Sequence, residues 1–371
     1  MADKLNQQLY HDAARACGFA LSGITAALPH PDAKHYAHWA DQGFAGEMHY
    51  LTDHRGAKRQ DPRTLLPSAK TILCLGMLYN GPEPETCDFD SYERGWISRY
   101  AWGEDYHHLM WDRLSQLNAR LQQVEPFDSK ICCDTAPLLE RTYARAAGLG
   151  WIGRNTCLIH EGQGSWFFLG EILTSLDLPT NTAPPDRCGT CHRCIEACPT
   201  AAIVPSGDHW AIDSRRCISY LTIELRGPAP EAHRTSTGAH IFGCDICQDV
   251  CPWNQKAPVT GERAFAATHL APPLAEMASL TESEFQAMFR NSPVNRTRYS
   301  GFLRNVAIAM GNSGNPNLLE PLEHLASSPD ASVSEHARWA MKRLTTSARP
   351  LSDTAIRYRP DSECQSEHTR K

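Results

Sequence analysis

The feature that most constrains this chain is a cysteine pattern that occurs twice between residues 188 and 252. The first run is C-x2-C-x2-C-x3-C-P, and the second is an isolated cysteine followed by C-x2-C-x3-C-P. In bacterial ferredoxins the first thiolates of such a run bind one 4Fe-4S cluster, while the cysteine before proline ligates the other cluster. Reciprocal crossing predicts one ligand set of Cys188, Cys191, Cys194 and Cys251, and a second of Cys198, Cys217, Cys244 and Cys247.

Zinc is the alternative metal, because structural zinc sites also use C-x2-C pairs. Zinc sites normally combine two separated pairs, whereas here a cysteine triplet and two Cys-Pro endings are present. The pattern therefore favours two iron-sulfur clusters. The remaining seven cysteines have no disulfide-like spacing and are interpreted as reduced thiols; they are Cys17, Cys74, Cys87, Cys132, Cys133, Cys157 and Cys364.

The length of 371 residues exceeds what one hydrophobic core normally supports, so several domains are expected. Hydrophobic residues at 42% and charged residues at 21% are typical of a soluble globular protein. The net charge of -6 argues against a uniformly basic nucleic-acid-binding surface but allows a local basic patch. The predicted divisions are a catalytic domain, a ferredoxin-like module, a helical region and a loose tail, at residues 1–180, 181–256, 257–351 and 352–371.

Apolar periodicity predicts an α+β fold with a mixed sheet in the first domain. Helical spacing covers residues 5–18, 32–43, 106–121 and 137–147, and strand-like runs cover 70–79, 129–133, 157–159 and 166–173. Three helical segments follow near the end of the chain, at residues 303–310, 317–326 and 333–344. Their pairing around a Pro-Asp turn is consistent either with HEAT-like repeats or with an ordinary helical cap on the core.

The sequence shows neither an export signal nor an apolar run long enough to span a bilayer. We therefore expect a cytoplasmic protein with no membrane partner. It also lacks a G-x-G-x-x-G motif between a strand and a helix, so no Rossmann nucleotide site is indicated. Two low-potential clusters nevertheless require an electron acceptor in the first domain.

Four stretches of the first domain combine ionisable, aromatic or glycine residues in ways that suit a binding site. A basic loop could meet phosphate or amide groups, an aromatic segment could face a flat cofactor, and a glycine-rich segment permits close backbone approach. Each also has a structural alternative, namely a solvated turn, core stacking or a tight turn. The stretches are residues 58–63, 98–108, 132–141 and 148–156.

Asp134 lies between a predicted strand and a predicted helix, and two explanations fit that position. It can cap the helix by accepting backbone N–H bonds, which would keep it ionised. Alternatively it is a carboxyl group in an apolar pocket, with a raised pKa that suits a catalytic proton donor. Taken alone, the local sequence favours the cap.

Together these motifs resemble the epoxyqueuosine reductases, cobalamin-dependent iron-sulfur enzymes related to the reductive dehalogenases. The resemblance covers nearly the whole chain, and the order of the motifs is more specific than the cysteine runs alone. Its motifs, besides both cysteine runs, are Arg59-x-Asp61-Pro62-Arg63-x-Leu-Leu-Pro67, Tyr100-Ala-Trp-Gly-x-Asp105-Tyr106-His107, Asp134-Thr135, Gly148-Leu-Gly-Trp-Ile-Gly-Arg-Asn155, Ile218-Ser-Tyr-Leu-Thr-Ile-Glu224 and Leu303-Arg304-Asn305.

This resemblance implies a nitroreductase-like cobalamin domain, two 4Fe-4S clusters and a HEAT-like C-terminal region that holds tRNA. The implied activity is reductive deoxygenation of epoxyqueuosine to queuosine at the tRNA wobble position, using cob(I)alamin reduced through the clusters, with Asp134 as the proton donor. The implied cofactor-binding residues are Arg59, Ser98, Asp134, Asn155, Leu158 and Ser219. Some members carry cysteine at the position of Ser98, so thiolate coordination of cobalt is not implied here.

The sequence marks no histidine as a lower cobalt ligand. His240-x-x-Gly243 has Gly238 where an Asp-x-His-x-x-Gly motif requires aspartate. A cobalt ion without a strong axial donor is easier to reduce, because its lower oxidation states prefer fewer ligands.

An arginine-rich stretch near the C-terminal helices is the candidate tRNA contact. No acidic residue interrupts it, and it is either a phosphate-binding strip or a solvated helix end. We further expect a monomer supplied by a low-potential electron donor whose identity the sequence does not give. The four arginines are Arg290, Arg296, Arg298 and Arg304.

Two other functions fit part of the pattern. A reductive dehalogenase-like cobalamin enzyme would share both cofactors but act on a small organohalide, and a ferredoxin-type electron-transfer protein would have no organic cofactor in residues 1–180. The basic C-terminal region weighs against the former, and the motifs of the first domain weigh against the latter.

Overall fold

The computed structural model describes residues 5–83 and 93–346, and the structural statements below refer to these residues. Its strands are β1 (Leu21–Ala26), β2 (Thr71–Leu78), β3 (Trp96–Ile97), β4 (Ser129–Cys132), β5 (Trp151–Ile152), β6 (Leu158–Ile159), β7 (Phe167–Thr174), β8 (Ile203–Ser206), β9 (His209–Ile212) and β10 (His240–Phe242). Its helices are α1 (Gln7–Ala16), α2 (Ala33–Asp41), α3 (His49–Thr52), α4 (His54–Lys58), α5 (Tyr106–Val124), α6 (Glu140–Ala146), α7 (Arg193–Glu196), α8 (Ile218–Ile223), α9 (Glu231–Arg234), α10 (Ile246–Asp249), α11 (Leu274–Ser279), α12 (Glu282–Met288), α13 (Arg298–Asn312), α14 (Leu319–Ala326) and α15 (Ala331–Thr346).

A four-stranded sheet of order β1-β2-β7-β4 forms the centre of the N-terminal part. Every neighbouring pair in it is antiparallel, with Gly23 opposite Cys74 and Ile131 opposite Ile172. The strands expected at β2, β4, β6 and β7 are confirmed, but the expectation of a mixed sheet is wrong. Apolar periodicity identifies strands but not their directions, and the short, partly polar β1 gave no clear signal.

The two faces of this sheet pack against different helices because strand side chains alternate between faces. On one face Leu73 and Ile172 lie in the core that includes residues of α1 and α5. On the other face Ile72 and Leu173 lie in the core that includes Tyr143 of α6. Both faces of the sheet are covered, which explains why the sequences of β2 and β7 are almost continuously apolar.

A third core joins the C-terminal helices to an N-terminal segment. α13 packs against α15 and α11, and α14 packs against α15. Trp96 and Trp102 are buried among these helices, and β3 pairs in parallel with β10. The sequence placed residues 96–102 in the first domain, so this contact brings that domain, the cysteine-rich module and the C-terminal helices together around one site.

The three C-terminal helices expected from periodicity are confirmed as α13, α14 and α15. The predicted loose tail at 352–371, together with Cys87 and Cys364, lies outside the described residues. Within the described ranges no helix is both long enough and apolar enough to cross a membrane.

Candidate active site and cluster-binding module

The loop between β4 and α6 carries Asp134 to the protein surface. The backbone of Asp134 is in the left-handed region, with φ of 55°, and its side chain is 45% exposed. The first residue of α6 is Glu140, and the N-cap of this helix is Leu139, which makes no side-chain capping bond. The capping interpretation of Asp134 is therefore wrong, and its carboxyl group makes its contacts elsewhere.

His107 connects Asp134 to a second carboxylate. It lies in the first turn of α5, where the Asp105 carboxylate caps the helix by accepting the backbone N–H of His107 at 3.0 Å. The Asp105 Oδ1 to His107 Nδ1 distance is 2.7 Å, and His107 Nε2 lies 3.3 Å from Asp134 Oδ2. A protonated His107 therefore donates to Asp105 through Nδ1 and forms an ion pair with Asp134 on its Nε2 side.

Arg296 borders Asp134 on the side of the C-terminal helices. Its Nη1 lies 3.8 Å from Asp134 Oδ2, and its Nη2 lies 2.7 Å from Glu224 Oε1. The same Nη2 donates to the Tyr50 hydroxyl at 3.3 Å. The expected tRNA-contacting residue Arg296 is thus part of the Asp134 cluster, and its side chain remains 42% exposed.

These contacts set the protonation of the cluster. Burial alone would raise the pKa of Asp134, but His107, Arg296 and Tyr106 outweigh it and the net pKa is lowered. The Asp105 and Asp134 carboxylates, as acceptors for the ring N–H groups, raise the pKa of His107 to about 9. The expectation of a raised Asp134 pKa is therefore wrong, because the surrounding cations and donors favour the ionised carboxylate. At neutral pH the proton of this pair is on His107.

Tyr106 and Tyr100 provide an aromatic wall beside Asp134. The Tyr106 ring stacks on Phe168, with centroids 4.0 Å apart and an interplanar angle of 7°. Tyr100 meets Tyr106 edge to face at 6.4 Å. Burial raises the pKa of both phenols far above the ordinary range, so both hydroxyls stay protonated and can donate hydrogen bonds.

The structure brings the eight motif cysteines together in the two expected groups. Burial and then the neighbouring thiols of Cys251, Cys188 and Cys191 raise the pKa of Cys194 to about 12. In the second group, burial leads the rise in the Cys244 pKa and Cys217 adds to it, while Cys198 acts in the same way on Cys217. Four soft thiols in each group suit an iron-sulfur cluster, and each group includes a cysteine from the other sequence run.

Two of the expected cofactor-binding residues differ in how their side chains are engaged. The Arg59 guanidinium donates to the Tyr50 carbonyl at 3.3 Å, so Tyr50 links it to Arg296 and Asp134. Ser98 is 2% exposed, and its hydroxyl donates to Asp245 Oδ1 at 2.5 Å. The Ser98 hydroxyl is therefore engaged within the protein.

Two of the other expected cofactor-binding residues lie beside the cysteine module. The Asn155 side chain donates to the Cys247 carbonyl at 3.1 Å, and Ser219 lies in α8, which begins directly after Cys217. Leu158 is instead buried in the core under the central sheet, together with Cys132.

The two residues considered as cobalt ligands differ in whether a donor atom remains available. The Ser98 hydroxyl donates to Asp245, whereas the buried His240 has its Nδ1 2.8 Å from the Thr237 carbonyl and its Nε2 without a hydrogen-bond partner among the described residues. A Cβ at Gly243 would lie 2.5 Å from the Ser98 Cβ, so this glycine is required for the close approach of the two segments.

The remaining arginines of the predicted strip divide into exposed and buried positions. Arg290 and Arg298 are exposed. Arg304 is 1% exposed, and its guanidinium donates to the Leu221, Leu225 and Gly227 carbonyls. The prediction that Arg304 contacts nucleic acid is therefore wrong.

Arg226 is an exposed arginine that the sequence reasoning missed. It donates to the Arg296 and Thr297 carbonyls at 3.2 and 3.3 Å. Arg298 contributes to lowering the pKa of Arg226, after burial, which indicates that their charges are close. The spacing of residues in the sequence does not link Arg226 to the arginine-rich stretch. His107, by contrast, lies within residues 98–108, one of the four stretches that the sequence indicated as a possible binding site.

A separate group of metal-ligand residue types, His35, Asp208 and His209, lies on the surface. Their ligand atoms lie within 4.8 Å of one another. The two imidazole rings stack at 4.0 Å with an interplanar angle of 24°, so the in-plane lone pairs run nearly side by side and do not converge on one point. This geometry does not fit a metal site.

Two family models match parts of the chain. The model described as epoxyqueuosine reductase QueG, DUF1730, matches residues 59–135, which include Arg59, Ser98, His107 and Asp134. The model described as a 4Fe-4S double cluster binding domain matches residues 187–254, which include all eight motif cysteines.

Relatives named epoxyqueuosine reductase match along most of the sequence. The protein of Xanthomonas campestris pv. campestris is 44% identical over 335 residues, covering 88% of this chain and 93% of the relative. The protein of Pseudomonas aeruginosa is 40% identical over 342 residues, covering 91% and 94%.

Solved structures of epoxyqueuosine reductases share the fold. A crystal structure with an epoxyqueuosine-modified tRNA-Tyr stem loop superposes with a TM-score of 0.84 at 26% identity, covering 91% of this chain and 90% of that one. The Bacillus subtilis enzyme, with an aspartate-bearing catalytic loop swung out of the active site, gives a TM-score of 0.82 at 26% identity and covers 96% and 95%.

Proposed function

This chain belongs to the epoxyqueuosine reductase family, and on that premise we propose that it reduces the epoxide of epoxyqueuosine in tRNA to the alkene of queuosine. The overall reaction consumes one epoxide, two electrons and two protons, and releases one alkene and one water. The observation that carries the proposal is the Asp134 cluster, in which a carboxylate, a protonated histidine and an arginine meet at the protein surface. Proton supply and phosphate attraction are what this substrate requires.

We propose that the two cysteine groups ligate the two 4Fe-4S clusters, with Cys251 and Cys198 as the ligands that cross between the runs. Cobalamin bound in the first domain and reduced through the clusters would supply the reducing chemistry that opens an epoxide. The neighbourhoods of Arg59, Ser98, Asn155, Leu158 and Ser219 are its proposed contacts. The Ser98 hydroxyl donates to Asp245, so Ser98 would border the cofactor without serving as a ligand to its metal.

Asp134 and His107 are the proposed source of the proton that reaches the epoxide oxygen. Asp134 is the exposed member, whereas His107 is more enclosed and holds the proton at neutral pH. When a proton passes from His107 Nε2 to Asp134 Oδ2, the imidazole becomes neutral and Asp134 becomes a carboxylic acid. Asp134 can then donate this proton onward, while Asp105 remains a carboxylate. The catalytic loop of the Bacillus subtilis relative, which bears an aspartate, supports the role given to this loop.

Binding of tRNA is proposed to rest on phosphate contacts from exposed arginines near the Asp134 cluster. Arg226, Arg290, Arg296 and Arg298 form the proposed strip, and the binding of a modified tRNA stem loop by a relative supports it. Arg296 lies closest to the chemistry, because it contacts Asp134. We further propose that α13, α14 and α15 form a HEAT-like arrangement that carries this surface, supported by the packing of α15 on both other helices.

An anaerobic turnover assay with the reconstituted enzyme tests this function. The substrates are an epoxyqueuosine-modified anticodon stem loop, the same loop without the modification and a small aryl halide, each with a low-potential reductant. We expect queuosine from the modified loop and no halide release. Halide release without queuosine would contradict the proposal, and activity retained in Asp134→Asn would contradict the role of Asp134.

A further inference from the structure

A glutamate lies at the centre of the apolar strand β7. Glu171 is 0% exposed and is directly opposite Cys74 on β2 and Cys132 on β4. The alternation of side chains along β7 places it on the sheet face that packs against α6, the same face as Leu173. A carboxylate in such a place is strongly disfavoured unless a proton or a partner neutralises it.

The partner of Glu171 is the carboxyl group of Glu140, the first residue of α6. Neither Glu171 oxygen receives a hydrogen bond from an N–H or O–H group of the described residues, so this contact becomes a hydrogen bond only when the two carboxyl groups share a proton. Burial and the charge of Asp134 raise the pKa of Glu140 to about 8. Burial and the charge of Glu140 raise the pKa of Glu171 well above its ordinary value. The pair therefore retains a proton at neutral pH.

The surroundings favour this shared proton. Burial raises the pKa of both Cys74 and Cys132, so both remain neutral thiols. Arg141, next to Glu140 in the chain, donates to the hydroxyl of Thr156 at 3.3 Å and also to its carbonyl. Its guanidinium is thus held at Thr156, although its charge still moderates the Glu140 pKa.

Glu140 also binds the backbone of the catalytic loop. Its Oε1 accepts the Asp134 N–H at 2.6 Å. Asp134 has a φ of 55°, a region that costs energy for residues other than glycine and is least unfavourable for asparagine and aspartate. This hydrogen bond fixes the residue whose conformation directs the Asp134 carboxyl toward His107.

We propose that the proton-sharing pair Glu140 and Glu171 is a positioning device that holds the Asp134 loop in the site. Glu171 donates the shared proton to one oxygen of Glu140, and the other oxygen of Glu140 accepts the Asp134 N–H. The inference rests on the proposed function only in assigning catalysis to Asp134. The hydrogen-bonded connection from β7 through α6 to the loop does not depend on the substrate.

The test combines amide hydrogen exchange of residues 133–139 with turnover of the modified stem loop, both in the holoenzyme. Glu140→Ala removes the acceptor, and we expect exchange in the loop to rise about tenfold. Turnover kcat should fall by about 10- to 100-fold while the KM for the stem loop stays unchanged, because substrate still binds but the proton donor is misplaced. Glu140→Gln retains an oxygen for the Asp134 N–H and an NH2 group for Glu171, so it should keep the wild-type exchange and most of the kcat.

Glu171 provides a second pair of variants that test the shared proton. Glu171→Gln can still donate to Glu140 and should keep the loop protected, whereas Glu171→Leu cannot donate and should raise loop exchange although Glu140 is intact. Leucine suits the apolar strand, so this variant should fold even if Glu140→Ala does not. The matched control is Glu282→Ala, which changes the exposed first residue of α12, a helix of 7 residues like α6.

Unchanged loop exchange in Glu140→Ala or Glu171→Leu would overturn the proposal, and so would a Glu140→Gln variant as impaired as Glu140→Ala. If the wild-type enzyme leaves the modified stem loop unreacted while the exchange contrast holds, the positioning device stands and the proposed function fails. The two failures are therefore distinguishable.

Discussion

Replacing His107 with glutamine tests where the proton of the Asp134 site is held. The Asp105 and Asp134 carboxylates, as acceptors for the ring N–H groups, raise the pKa of His107 from 6.5 to about 9. That rise corresponds to about 3 kcal/mol in favour of the imidazolium form. The His107 side chain is 25% exposed, so solvent screens these interactions only in part. At pH 7.5 about 30 imidazolium rings are present for each neutral ring, whereas an ordinary histidine would be about one-tenth protonated.

The sign of the pH dependence follows from this raised pKa. The ion-pair stabilisation of the folded site is fully present below pH 6.5, the ordinary histidine value, and is lost as the pH rises through about 9. Wild-type single-turnover rates should therefore stay level through neutral pH and fall above about pH 9, with the loss of one proton. Glutamine can still donate a hydrogen bond to Asp134 but has no proton to transfer, so we expect the rate at pH 7.5 to fall by about 10²- to 10⁴-fold.

The assay is anaerobic single turnover of the modified stem loop between pH 6 and pH 10, with cobalamin binding followed by its absorption spectrum. In His107→Gln, the rate should already decline with pH across the neutral range, because only the Asp134 carboxyl remains to hold the proton. His108→Gln is the control, since His108 is the exposed neighbour in the same turn of α5. A His107→Gln enzyme that has the wild-type rate and the same fall in rate near pH 9 would refute the reasoning.

Three further changes test other parts of the structure. Asp134→Asn should abolish most turnover while the spectrum of bound cobalamin is unchanged, and loss of that spectrum would instead indicate a cofactor-binding role. Arg298→Gln should weaken binding of the stem loop and reduce the slope of log Kd against log salt by about one, as expected for one lost phosphate contact, and an unchanged slope would remove it from the strip. Arg304→Leu should leave that slope unchanged but lower the unfolding free energy by about 3 kcal/mol, measured by denaturation of the holoenzyme, because three buried carbonyls lose their donor.

The parts of the molecule that were predictable from sequence are those encoded locally. Cysteine spacing, with the crossing rule, anticipated which thiols would lie together, and apolar runs marked β2 and β7. β1 was missed because Leu21-Ser-Gly-Ile-Thr-Ala26 is short and contains both polar residues and glycine. Strand direction depends on connections between distant segments, so the antiparallel sheet was not accessible from periodicity.

The error at Arg304 has its cause in the packing of α13. Every residue from Phe302 to Gly311 is buried, so Arg304 faces other elements of the protein. Arg298 lies at the exposed beginning of the helix, where its φ is 62°. The number of arginines in a stretch gives its net charge, but a binding strip also requires these side chains to share one face of the protein. Arg226, from a different part of the chain, lies next to Arg296 and is part of the proposed strip.

The two sequence explanations of Asp134 failed for a common reason. Both treated its protonation as a property of one residue and its local structure, namely a helix end or an apolar pocket. In the structure Asp134 belongs to a group drawn from α5, the β4–α6 loop and the segment before α13, and Arg296 and His107 keep it ionised. An ionised aspartate can still deliver a proton if the adjacent imidazolium first passes one to it, and His107 Nε2 lies 3.3 Å from Asp134 Oδ2. In the proposed mechanism the geometry therefore separates two tasks that a single acid would otherwise combine: His107 stores the proton at neutral pH, and Asp134, on a loop secured through its backbone N–H, presents it to the substrate.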